Sequence, residues 1–192
     1  MATCNDLITT AIQGKCGAHE NGFDAMGVIF NREDINTLGT TFSDGVIEKL
    51  VRKENKAGFA IYQPRKKAFN GTQIQMQEGD YEDTFTKTVK VLVPLFADGD
   101  HTTDCAQKQA LMRGDFVLFL LSKPVPNEMR SIHVFGFENG LKCTAAEKVF
   151  YNDSTLGMWD LTLTEKNAYF PDVYYEPEVT DTEELFKDLL VV

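Results

Sequence analysis

The chain has 192 residues, 43% of them hydrophobic, and a formal net charge of -10 from 29 acidic and 19 basic residues. That length supports one domain, residues 1–192, with a core of its own, and the acidic balance repels a phosphate backbone and so excludes a conventional nucleic-acid binder. No window approaches the roughly 18 to 20 consecutive apolar residues of a membrane helix, and "MATCNDLITTAIQGKCGAHE" lacks a basic start before an apolar run, so a soluble, cytoplasmically made protein with no membrane partner is expected.

In chain order, period-2 patterning predicts strands at Phe23 to Phe30, Gly58 to Gln63, Thr72 to Gln77, Thr88 to Phe96, Asp115 to Leu121, Ser131 to Phe137 and Met158 to Glu165. Each is short, rich in β-branched or aromatic residues and bordered by Gly, Asn, Asp or Pro. One helix of about three turns is predicted near 101–113. Asp100 to Asp104 are its capping candidates, Gly114 its stop, and Ala106, Ala110 and Leu111 or Met112 its inner face. The C-terminal "DTEELFKDLLVV" reads as a shorter helix with Thr182 as cap and Leu185, Leu189 and Leu190 facing a core, although its last four residues fit a strand equally well. The fold class expected is mostly β: a β-sandwich or partly open barrel with one flanking α-helix and a projecting hairpin or loop.

That loop is residues 62–85, "YQPRKKAFNGTQIQMQEGDYEDTF". Asn70-Gly71 is a strong signal for a type I′ hairpin, which would set Phe69 opposite Thr72, Lys67 opposite Ile74 and Arg65 opposite Met76. Neither face of such a ribbon is cleanly apolar, so it is expected to project and to gain order from a partner. Its basic block, Arg65, Lys66 and Lys67, and its acidic block, Glu78, Asp80, Glu82 and Asp83, suit oppositely charged patches on neighbouring copies, as a head-to-tail contact requires. With Asn70 and Gly71 these residues form the candidate self-association interface; a solvated loop kept soluble by its charges is the competing reading.

Chemistry finds little support. None of Ser43, Ser122, Ser131 and Ser154 lies in a G-x-S-x-G elbow. Cys4, Cys16, Cys105 and Cys143 form no C-x-x-C pair, and free thiols are expected, although Cys4 and Cys16 could bridge in an oxidising compartment. Cys16 with His19, and His101 with Cys105, are the nearest thiol–base pairs. Cys4, Cys16 and His19 lack a fourth zinc ligand, and Asp98, Asp100 and Asp104 lack the Gly and Glu of an EF-hand loop. A metal-dependent enzyme built on Asp98, Asp100, His101 and Asp104 is one alternative; another is a monomeric β-sandwich ligand- or carbohydrate-binding module using Trp159, Tyr169, Tyr174 or Tyr175. No catalytic residue, metal or cofactor is expected.

"IHVFGFENGLKCT", residues 132–144, reads as strand, turn and return strand, with Ile132, Val134 and Gly136 on one face and His133, Phe135 and Phe137 on the other. Gly136 permits a bulge or close backbone approach and Asn139-Gly140 a tight turn. The order "GVIFNREDI", a helix before "MRGDFVLFLL", then "VFGFENGLKCT" and "GMWDLTLTEKNAYFP", resembles the major tail or tail-tube proteins of tailed bacteriophages. The resemblance implies six copies closing into a ring whose inner sheet lines a channel, and rings stacked through an extended loop or termini, with other tail proteins as partners. It implies a virion location, transient passage of DNA without specific binding, and no catalysis. Tail terminators and head-tail connectors of similar size are its neighbours in kind.

Overall fold

The computed structural model describes residues 22–64, 68–80, 82–94, 101–124, 130–177 and 182–190. Eleven strands form one open, mostly antiparallel sheet: β1 Phe23–Asn31, β2 Thr41–Ser43, β3 Val46–Lys49, β4 Phe59–Tyr62, β5 Gln73–Gln77, β6 Thr84–Val93, β7 Asp115–Ser122, β8 Ile132–Phe135, β9 Leu141–Lys148, β10 Trp159–Ala168 and β11 Tyr174–Tyr175. The strand order is β2-β3-β11-β8-β7-β9-β10-β6-β5, with β1 on the other edge of β7 and β4 beyond it. The fold is therefore mostly β, as expected, with one main helix, α1 His101–Arg113, and a short second one, α2 Thr182–Asp188. Among the described residues no helix is long and apolar enough to cross a membrane.

β7 explains the architecture. Its uninterrupted "FVLFLL" is buried on both faces, which is what a continuous apolar run in a strand signals. Val117, Phe119 and Leu121 enter one core cluster with Val28, Phe30, Ile47, Tyr175, Phe186 and Leu189. Phe116, Leu118 and Leu120 enter a second with Val89, Val91, Val93, Leu161 and Leu163 of β6 and β10. The second cluster is thus held between β1-β7-β8 and β9-β10-β6, two layers of one sheet that turns on itself where β7 passes from β8 to β9.

The turn at that corner is residues 136–140. Gly136 has φ 83° and Gly140 φ 80°; a Cβ on Gly136 would stand 2.4 Å from the Phe116 carbonyl oxygen, so the close approach demands glycine. The left-handed residue breaks the expected alternation: Phe135 joins the second cluster, and Phe137 is sent into the first, beside Val134, rather than staying with Phe135.

Two further expectations are corrected. Ala106 and Ala110 of α1 are exposed; the helix turns the Asp104–Lys108 ion pair inward and lays Leu111 and Met112 on the second cluster. An i,i+4 carboxylate–ammonium pair neutralises itself and tolerates that burial. The 69–72 turn does form, with Thr72 N–H donating to Phe69 O at 3.2 Å, but of its two central residues only Gly71 has a positive φ, 92°. That is the pattern of a type II turn, whose twist splays flanking strands instead of pairing them. β5 pairs with β6 from Gln73–Thr88 to Gln77–Thr84, and β4 pairs with β1. The Lys67–Ile74 and Arg65–Met76 pairing is thus replaced by Ile74–Lys87 and Met76–Phe85, and Phe69 is buried in the second cluster. β2, β3 and β11, each four residues or fewer, were not predicted.

Candidate self-association surface

The layer β9-β10-β6-β5 carries the candidate surface. In its inner face sit the valines and leucines of the second cluster. Cross-strand partners share a face, so the opposite, outward face holds Thr86, Thr88, Lys90 and the buried Leu92 of β6, Asp160, Thr162 and Thr164 of β10, Lys142, Ala145 and Glu147 of β9, and Gln73, Gln75 and Gln77 of β5. Its charges balance in number, Lys90 and Lys142 against Asp160 and Glu147, and Lys90 Nζ lies 3.9 Å from the Asp160 carboxylate. The result is a polar, neutral face in a chain of net charge -10.

Among the described residues β5 has no ladder partner on its outer side, and β9 has one over only part of its length. β5 is the last strand in the order and every residue of it is exposed. Its Ile74 and Met76 point to the apolar side, opposite Lys87 and Phe85, yet Met76 is 61% exposed: the inner layer is unfinished there. "QIQMQ" carries no Lys, Pro or other charge, the devices with which proteins guard an open edge. On the other flank, β9 pairs with β7 only at Leu141 and Lys142, leaving Cys143 to Lys148 with β10 alone and a bulge at Thr144. α1 lies beside β9 without adding a ladder bond.

Of the predicted interface residues, Glu78, Asp80, Glu82 and Asp83 are exposed on the connection between β5 and β6, where Gly79 N–H donates to the Asp83 carboxylate at 3.2 Å. Asn70 and Gly71 are exposed at the opposite end of β5. The two groups therefore bracket one open strand. Arg65, Lys66 and Lys67 lie outside the described residues, as do Cys4, Cys16, His19, Asp98 and Asp100.

A charged cluster inside the layer went unpredicted. Glu165 is fully buried, and its carboxylate accepts N–H bonds from Gly136 (2.8 Å), Glu138 (3.1 Å) and Asn139 (2.9 Å). Glu138 in turn accepts from the N–H groups of Tyr169 (2.8 Å) and Phe170 (3.3 Å). Lys87, 1% exposed, places Nζ 3.5 Å from Glu138 and 3.8 Å from Glu165. The corner thus forms an anion nest that the chain fills with its own carboxylate, which removes it as a ligand site. The sequence signal was the Glu165–Lys87 register of facing strands, invisible until β6 and β10 are paired.

The residues weighed for chemistry do not converge. Asp104 is taken by Lys108, and among the described residues no three His, Cys, Asp or Glu side chains group as a metal site. His133 packs between Phe23 and Tyr174, with ring centroids 5.3 and 4.8 Å away. Tyr175 is buried against Phe119, Tyr169 lies edge-on to Phe170, and Trp159 packs on the second cluster. Burial pushes the Cys143 thiol and the Tyr175 hydroxyl above their ordinary ranges; at Tyr175 the nearby Arg52 opposes this and Asp188 adds to it. No known family model, curated protein or solved structure matches the chain.

Proposed function

We propose that this chain is a virion structural protein, without turnover chemistry, that self-assembles into rings stacked as a phage tail tube around a channel for DNA. One observation carries the reading: a four-stranded antiparallel layer, polar and near-neutral on one side, whose β5 flank is unpaired and whose β9 flank is paired over only two residues in a single copy. Strands β9, β10, β6 and β5 alternate in direction, so β5 runs opposite to β9. Rotation about an axis along the strands preserves direction and sets β5 of one copy antiparallel to β9 of the next. Repeating that heterologous contact closes a ring and covers the edges of β5 and β9.

In such a ring the Thr- and Gln-rich face lines the channel. Polar, neutral and without a basic stripe, it gives a phosphate backbone nothing to grip, which suits passage rather than binding. The tail-tube resemblance of "VFGFENG" and "TEKNAYFP" supports the same reading: these are the two segments that Glu138 and Glu165 lock together. The test is negative-stain imaging and sedimentation of the purified chain with Met76→Lys beside it. The variant, at an exposed position, is expected to stay folded and to lose assembly. Rings unaffected by Met76→Lys would remove β5 from the contact.

A further inference from the structure

We infer that the β9–β10 loop, residues 149–158, is a lateral clasp that seats on the Tyr62–Gln63 shoulder of a second copy of this chain. The inference rests on the ring reading above. The loop displays Val149, Phe150, Tyr151 and Leu156 to solvent, Phe150 at 74% and Tyr151 at 100% exposure. It is nonetheless tightly wound. Leu156 N–H donates to Asn152 O (2.7 Å), Met158 N–H to Thr155 O (3.0 Å), and the Asn152 side-chain oxygen accepts from both the N–H (2.7 Å) and the hydroxyl (2.6 Å) of Ser154. Leu156 is held at φ 54°, a conformation a leucine adopts only at a cost. A wound, strained loop that turns apolar side chains outward is shaped for contact, and such a patch marks an interaction surface.

The sheet register says which surface it meets. Trp159 stands opposite both Lys148 and Val93, so the loop leaves the layer at the Val93 end of β6. β5 reaches only Gln73, opposite Thr88. Beyond it the outer edge of β6 is held at Leu92 by the Gln63 carboxamide, which accepts from Leu92 N–H (2.8 Å) and donates to Leu92 O (2.9 Å). Leu92 pairs with Asp160 on β10, one residue from the Val93–Trp159 row. Gln63 therefore sits at the level of the loop, on the opposite flank of the same layer. Its neighbour Tyr62 is 66% exposed. A rotation about the strand direction keeps that level, so the operation that sets β9 beside β5 also carries one copy's Phe150 and Tyr151 to the next copy's Tyr62. A second copy is the occupant because the two exposed aromatic patches match in level, lie on opposite flanks, and continue the flanks that the ring joins.

The test is a Tyr62→Cys/Tyr151→Cys chain treated with a short bis-maleimide under assembling conditions, with each single variant as the control for native thiols such as the exposed Cys105. The expected result is a ladder of covalent oligomers that neither single variant gives. Phe150→Ser/Tyr151→Ser, both at exposed positions, is expected to fold and to raise the concentration needed for assembly at least about tenfold, as loss of aromatic anchors does. Rings that form with no ladder and with an unchanged threshold for the Ser variant would overturn the clasp and leave the β5–β9 contact standing. A wild-type chain that stays monomeric at every concentration would overturn the ring and the clasp with it.

Discussion

Lys87→Met isolates the charged cluster at the sheet corner. The ammonium, 1% exposed and without a hydrogen bond among the described residues, lies 3.5 and 3.8 Å from the carboxylates of Glu138 and Glu165. At an effective dielectric of about 20, each attraction is about 4 to 5 kcal/mol. Against that stand the desolvation of the lysine, of several kcal/mol, and the mutual repulsion of two carboxylates, which the lysine offsets together with the backbone N–H groups that they accept. Methionine keeps most of the stem volume but leaves two carboxylates facing each other, one of them fully buried, so the expected loss is about 3 to 5 kcal/mol at pH 7. The assay is urea unfolding of the dilute chain followed by the single tryptophan, Trp159. A loss under about 1 kcal/mol, within the range of an ordinary surface change, would refute the reasoning.

Burial holds the Cys143 thiol above its ordinary range while Cys105 is exposed. Alkylation near pH 8 is therefore expected to label Cys105 first and Cys143 slowly, read by peptide mass spectrometry; equal rates would contradict the burial of Cys143. Tyr175 has its hydroxyl raised above 10.0 by burial, so its contribution to stability is present below about pH 10 and is lost as pH rises through the folded value. Tyr175→Phe is expected to lessen alkaline destabilisation measured by thermal melts, and a melt whose alkaline limb is unchanged would count against that burial.

The long strands and α1 were legible because their patterns are local. "FVLFLL" declares a strand covered on both faces, and Gly114 stops a helix that ends at Arg113. The order of strands was not legible. Asn70-Gly71 has the composition of a hairpin turn, but the turn type depends on where Phe69 goes, and Phe69 is drawn into the core between layers. β11 is two residues long and exists because β3 and β8 offer edges on either side. The acidic block and Asn70-Gly71 are exposed, but the strand between them, "QIQMQ", holds the unguarded edge, and an edge is a property of the whole sheet rather than of five residues. Likewise Glu165 reads as a surface charge until Gly136 folds three N–H groups around it.

Electron microscopy of the purified chain at its highest soluble concentration tests the central claim most directly. Rings or tubes with an open axial channel, their wall one continuous sheet joined from β5 to β9, are the predicted result. A monodisperse monomer under the same conditions, with β5 still exposed along its length, would contradict it.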